Sequence, residues 1–218
     1  DLADAAIVVI TAGAAQKPGE TRLDLVHKNI NIFKSIIPEI VKRDFQGILL
    51  IVANPVDILT YTALKLSGYA PNRVIGSGTV LDTARLKERL GEHLEVDSRS
   101  VHAFIVGEHG DSEIAAWLSA NVSGIPLHDF CEMRGHHDHE GATSEIAEKV
   151  KNSVYEIIQR KGATYYGIAM SVKRICEAII RDERSILPIS TMMDGEYGIK
   201  ALHKSAETLK SVLEEALE

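Results

Sequence analysis

The sequence predicts an α/β protein in which strand, loop and helix units build a parallel sheet that is followed by an α+β portion. Three observations predict it. Short, continuously apolar runs at residues 6–10 (AIVVI), 47–52 (GILLIV) and 73–76 (RVIG) have the length and density of strands buried on both faces. Longer segments with helical apolar spacing separate them, which is the rhythm of crossover connections. Beyond residue 110 that rhythm gives way to short pieces and then to long helices.

Composition narrows the function classes. A chain of 218 residues has room for one large domain or two small ones, and 45% hydrophobic with 25% charged residues is ordinary for a globular protein. The net charge of −7 and a pI near 5.7, with lysines and arginines scattered, argue against nucleic acid as a partner. No apolar run approaches the roughly 20 residues of a membrane span, and Asp1-Leu2-Ala3-Asp4 does not resemble a signal peptide. No membrane partner is expected, and the location expected is cytoplasmic. Cys131 and Cys176 lie far apart without metal-site spacing and read as reduced thiols.

The first strand, at 6–10, runs straight into Thr11-Ala12-Gly13-Ala14. Such a small-residue turn lets a dinucleotide or phosphate approach the backbone closely. Residues 16–22 (QKPGETR) are polar and hinged at Pro18-Gly19, a composition suited to closing over a site. A helix is expected from about 20 to 42, with Leu25, Ile32, Ile36 and Ile40 among its apolar positions. Arg22 is either a solvated first-turn residue or has another role, because the helix dipole disfavours a cation there. The strand at 47–52 ends in Ala53-Asn54-Pro55, where the Asn54 amide can donate and accept at once. Residues 56–67 read as a helix stopped by Gly68, and the strand at 73–76 leads into Ser77-Gly78-Thr79. The helix expected at 81–90 carries Asp82 and Arg85 on one face, as a surface ion pair or as part of a site.

The chain is organised around residues 101–112, VHAFIVGEHGDS. Residues 101–106 read as one buried strand, ending in a glycine-bracketed loop with Glu108, His109 and Asp111. An imidazole at the carboxyl end of a strand is well placed for acid/base work, although a lone histidine can also simply cap a loop. Further on, residues 117–121 suggest a short helix, 122–126 a short strand, and 134–140 a polar loop. His136, His137 and His139 sit in that charged loop and read as solvated, so no metal is assigned. Helices are expected at 143–161 and 163–181, broken by Gly162, with Thr164 either facing a pocket or capping the second. A strand at 186–192, an Asp194-Gly195 hairpin to 196–199 and an amphipathic helix at 200–218 complete the pattern.

Together Asp82, Arg85 and His109 with Arg22, Asn54 and Gln16 suit the reduction of a 2-oxo acid. Arg85 can grip a carboxylate with a planar fork, His109 can donate a proton near neutral pH, and Asp82 can orient the ring. Arg22 would bring positive charge to the developing oxyanion.

These residues stand in motifs that resemble the L-lactate dehydrogenase family, bacterial type, within the lactate/malate dehydrogenase superfamily. AGAAQKPGETRLDLV, VANPVDILTY, GSGTVLDTARL, GEHGDSE and ILPISTMMDGEYGI match in family order over essentially the whole chain. The resemblance implies a Rossmann-like NAD-binding domain, incomplete here, at residues 1–78 and an α+β substrate and catalytic domain at 79–218. It implies His109 as acid/base, Asp82 as its partner, Arg85 as carboxylate clamp, Arg22 as mobile-loop arginine, and Asn54 as a contact of substrate and nicotinamide. Gln16 takes the position that separates lactate from malate members, and Thr164 lines the same pocket. Gly13, Ala14, Ser35, Val52 and Ser77 take further NAD contacts. Pyruvate and L-lactate are the implied substrates and a homotetramer the implied assembly. Lys87 and His102 take the places of a fructose 1,6-bisphosphate effector site, with lysine where effector-dependent members carry arginine.

Two departures accompany the match. The family's glycine-rich fingerprint and ribose-binding acid belong before Asp1, and a β-rich segment belongs where Ile199 meets Lys200. The expectation is a fragment, or a sequence omitting segments of a longer chain, with weak NAD binding and an exposed sheet edge. The alternatives to an L-lactate dehydrogenase are a malate or other 2-hydroxy-acid dehydrogenase and a catalytically silent fragment.

Overall fold

The computed structural model describes residue 2 and residues 4–14 and 21–193. They form two compact units. One holds the chain to Gly78, Ala178–Glu183 and the stretch from Ile189; the other holds Thr79–Glu177 and Arg184–Pro188. The units divide between Gly78 and Thr79, and two later segments group with the first unit rather than with 79–177.

The first unit contains β1 (Ile7–Ile10), α1 (Arg22–Val41), β2 (Ile48–Ile51), α2 (Val56–Ser67) and β3 (Val74–Gly76). The strands pair in parallel in the order β1-β2-β3, with Ile10 beside Ile51 and Ile51 beside Gly76. Their carboxyl ends are therefore level, and the loops beginning at Thr11, Val52 and Ser77 leave along one edge of the sheet. β1 forms one border of this sheet, and Val9 is exposed on it.

Helix α1 begins at a capping box: the Thr21 hydroxyl accepts from the Asp24 amide at 3.2 Å, and the Asp24 carboxylate accepts from the Thr21 amide at 3.0 Å. Its buried stripe is Val26, Ile30, Phe33, Ile37 and Ile40, spaced by four and three. Of the positions expected from the sequence, Ile40 lies in that stripe, whereas Leu25, Ile32 and Ile36 flank it half-buried. Helix α2 has the bounds expected of it, because Gly68 takes a φ of +65° and its amide closes on the Leu64 carbonyl. The strand expected at 186–192 reduces to a single antiparallel bridge between Ser190 and Gly76. Pro188 has no N–H to give to a longer ladder.

The second unit contains α3 (Val80–Leu94), β4 (Val101–His102), β5 (Ile105–Val106), β6 (Ile114–Ala115), β7 (Asn121–Val122), β8 (Ile125–Pro126), α4 (Leu127–Met133), α5 (His139–Lys161) and α6 (Tyr166–Ile180). The single strand expected at 101–106 is two strands with different partners, Val101 pairing with Val122 and Ile105 with Ala115. Val101, Ala103 and Ile105 are buried while His102 and Val106 are exposed, so the run is one-sided rather than buried on both faces. Residues 122–126 are the end of β7, a turn and β8, a hairpin made possible because Ser123 and Gly124 both take positive φ. Helix α4 was not expected, and α5 starts earlier than expected, where the Asp138 side chain accepts from the Gly141 amide. Leu86, Leu90 and Leu94 on α3 pack with Val101, Ile105, Val122, Leu127, Ile146 and Val150 in the core. Among the described residues, no helix is long and apolar enough to cross a membrane.

Candidate active site

Asp82 lies in the first turn of α3 and is 3% exposed. Leu86, one turn further on, anchors the same helix in the core, so the carboxylate is carried on a rigid element. His109 comes from the loop after β5, where Gly107 and Gly110 take φ of +93° and +139°. These are conformations that a side chain disfavours, and they let the loop turn sharply on either side of the imidazole. The strand feeding it is fixed to α3, since the Thr83 hydroxyl accepts from the Ile105 amide at 2.9 Å and the Thr79 hydroxyl donates to the Ile105 carbonyl at 2.6 Å.

The result is a carboxylate shared by two cations or potential cations. Asp82 Oδ2 is 2.6 Å from His109 Nδ1, and Asp82 Oδ1 is 3.2 Å from Arg85 Nη1. An ionised carboxylate only accepts, so Nδ1 carries the hydrogen in this pair and Nε2 is the ring's other working nitrogen. Arg85 also lines a cavity of about 410 Å³ together with Thr164. Thr164 thus borders that cavity, just ahead of α6. His109 and Asp82 lie outside that lining, so the cavity alone does not define the chemistry.

Glu108 and Asp111, on the same loop as His109, hold other partners. Glu108 accepts from the Ser112 hydroxyl at 3.0 Å, while Asp111 accepts from Tyr155 at 2.7 Å and, through its carbonyl, from Lys151. These bonds tie the loop to α5. Glu113, which the sequence reading passed over, is the carboxylate that closes on the pair: Asp82, His109 and Glu113 each place a polar atom within 4.8 Å of the others. Its signal was position, four residues after His109.

Burial pushes the Glu113 carboxyl up to about 7, and the Asp82 charge adds to this, while His109, a Gly110 backbone hydrogen bond and Arg85 pull the other way. Because the folded value stands above the ordinary 4.5, the folded chain holds a proton that the unfolded chain releases. The associated stability is complete below about pH 4.5 and is lost as pH rises through about 7. Glu113→Gln is accordingly expected to match the parent at pH 4 and exceed its unfolding free energy by about 1 kcal/mol at pH 8, after allowance for solvent screening. Urea unfolding at the two pH values checks this; equal differences at both would refute it.

The comparisons with known proteins bear on both units. Residues 1–76 match the NAD-binding domain of lactate/malate dehydrogenases, and residues 79–214 match their α/β C-terminal domain. The chain belongs to the lactate/malate dehydrogenase family. It is 54% identical over 206 residues to L-lactate dehydrogenase 1 of Clostridium acetobutylicum, covering 94% of this chain and 66% of that protein. It is 54% identical over 212 residues to the L-lactate dehydrogenase of Acetivibrio thermocellus, covering 97% and 67%. The crystal structure of the minor L-lactate dehydrogenase from Enterococcus mundtii in its ligands-bound form matches with a TM-score of 0.88 at 43% identity, over 97% of this chain and 76% of that one. The chain thus spans about two thirds of the length of these curated relatives.

In this lactate/malate dehydrogenase chain, Gly13, Ala14, Val52, Asn54 and Ser77 follow the level ends of the parallel strands. A Cβ built on Gly13 would stand 3.2 Å from that of Ala53, so the backbone runs close to the loop leaving β2. Buried Asn29 on α1 joins the two loops: its Oδ1 accepts from the Ala14 amide at 2.7 Å, and its Nδ2 donates to the Asn54 carbonyl at 2.7 Å. Gly13, Ala14, Val52, Asn54 and Ser77 therefore stand along one edge of the sheet, just past the carboxyl ends of β1, β2 and β3. Asn29 is a second residue the sequence reading missed; helical burial masks a polar residue until its partners are seen. Ser35 is separate from that edge, exposed in the middle of α1 with its hydroxyl on the Ile32 carbonyl. Lys87 is half-buried on α3, where burial lowers its ammonium pKa, and His102 is exposed on β4. Gln16, the hairpin and the final helix lie outside the described residues; Arg22 opens α1.

Proposed function

We propose that this chain carries the catalytic machinery of an NAD-dependent L-lactate dehydrogenase, interconverting pyruvate and L-lactate. The observation that carries this reading is the buried Asp82 carboxylate held between His109 and Arg85. NAD, when bound, supplies the hydride to the keto carbon or accepts it back.

His109 passes a proton from Nε2 to the keto oxygen during reduction and recovers it from the hydroxyl during oxidation. Asp82 steadies the ring in the required tautomer and stabilises the imidazolium between turnovers. Arg85 binds the substrate carboxylate in a fork that lysine would not reproduce. Arg22 stabilises the oxyanion, and Asn54 orients substrate and nicotinamide. Gln16 and Thr164 set the preference for the substrate's methyl end, since a neutral amide suits pyruvate and leaves a second carboxylate without a cation. Ser77, Gly13, Ala14 and Val52 complete the cofactor contacts, and Ser35, set apart in the middle of α1, is left out of them. The whole protein works as a cytoplasmic homotetramer in fermentative glycolysis, with Lys87 and His102 receiving the phosphates of fructose 1,6-bisphosphate.

NADH oxidation by the chain tests this with pyruvate and with oxaloacetate, each with and without the sugar bisphosphate. A higher kcat/KM for pyruvate is expected, and the effector should shift the pyruvate saturation curve. Preference for oxaloacetate would favour the malate reading, and unchanged curves would remove Lys87 and His102 from it. No turnover together with no saturable NADH binding by calorimetry would identify a silent fragment.

A further inference from the structure

Histidines also gather around α4, and none of them is assigned to the reaction. His128 and Glu132 are four positions apart on that helix, so both project from one of its faces. His139, the first residue of α5, brings its ring against them: the His128 and His139 ring centroids are 4.0 Å apart. Glu132 Oε1 stands 3.8 Å from His139 Nε2, and one ligand-type atom from each of the three residues lies within 4.8 Å of the other two.

A second observation singles out His139. Its side chain is only 18% exposed, and its Nδ1 is buried with no hydrogen-bond partner among the described residues. The ring thus has unused polar capacity at Nδ1, while Nε2 is the nitrogen that faces Glu132. His128 shows the complementary arrangement, with Nδ1 3.6 Å from the Asp129 carboxylate. At that distance the carboxylate adds negative potential beside the ring without fixing its orientation.

We propose that His128, Glu132 and His139 bind a divalent transition ion of Zn²⁺ type, which clips α4 to the start of α5. Two imidazoles and one carboxylate are a donor set that zinc accepts in tetrahedral geometry, with water in the fourth place. Hard cations such as Mg²⁺ prefer oxygen donors throughout and are poor occupants. The three atoms must draw together by about 1 Å to meet metal distances near 2.0–2.2 Å. His128 and Glu132 are exposed on the surface, at 61% and 57%, and can turn without disturbing the core. The cluster differs from the histidine group evident in the sequence, because His136 stacks on His93 instead, at 4.3 Å between centroids. Residues 134–138 connect the two helices, so an ion here closes that connection and should raise resistance to unfolding by mass action.

The test is calorimetric titration of the chelator-treated chain with Zn²⁺ alone, paired with its thermal midpoint. One equivalent should bind saturably and raise Tm, while Mg²⁺ at the same concentration does neither. The exposed substitution His128→Gln should weaken binding by about tenfold or more, Glu132→Gln should weaken it too, and His136→Gln should leave it unchanged. Absence of saturable binding, full affinity in His128→Gln, or loss of binding in His136→Gln would each overturn the assignment.

Discussion

The Asp82→Asn substitution is expected to lower pyruvate turnover by about 10²–10⁴-fold. The reason lies in a count of donors and acceptors. Asp82 meets two donors, His109 Nδ1 and Arg85 Nη1, with one carboxylate oxygen for each. An asparagine side chain has one acceptor oxygen and an NH₂, so one of those donors must face another donor. If the amide oxygen stays on His109, Arg85 loses its restraint; if it stays on Arg85, the imidazole is pushed away or into the wrong tautomer. Either way the negative charge that stabilises the imidazolium is gone, and at 3% exposure water cannot replace it. The His109 arm should reduce kcat, and the Arg85 arm should raise KM for the substrate carboxylate. NADH oxidation kinetics across pH 6–9 would separate the two, with far-UV circular dichroism showing that the near-isosteric variant is folded. A kcat within about threefold of the parent would mean that the pair is structural and that proton transfer lies elsewhere.

Much of this arrangement was legible in the sequence, and the illegible parts have physical causes. β1, β2, β3 and α2 lie where continuous apolar runs and helix-ending glycine put them, because local chemistry decides those elements. Asp82, Arg85 and His109 could be named from spacing and motif, and the structure brings them together. The apolar run at 101–106 misled because strand length depends on partners: two different neighbours, β7 and β6, divide one run into two. The tight turn at Ser123-Gly124 carries a Ser-Gly signal in the sequence, but strands of two residues on either side are too short to show alternation. Glu113 and Asn29 escaped because a polar residue announces its role only through what surrounds it. Glu113 is defined by its neighbours Asp82 and His109, and Asn29 by loops 15 and 25 residues away in sequence.

Asn29 also offers the clearest link between packing and cofactor binding. The Asn29→Ala substitution is expected to destabilise the chain by about 2–4 kcal/mol, through two lost hydrogen bonds and the small cavity left in α1. Asn29 is fully buried, so water does not readily replace the side chain at the Ala14 amide and the Asn54 carbonyl. Those two groups belong to the loops leaving β1 and β2, and the amide side chain spans them as a cross-brace. Without it each loop samples more conformations, and binding must then order them. NADH affinity should therefore fall by about tenfold even at temperatures where the variant is fully folded. Hydrogen exchange at the Ala14 amide reports the brace directly, and calorimetry with NADH reports its consequence. Lost stability with unchanged NADH affinity would assign Asn29 to the core alone, because a core residue lowers the unfolding free energy without altering how the folded loops receive a ligand.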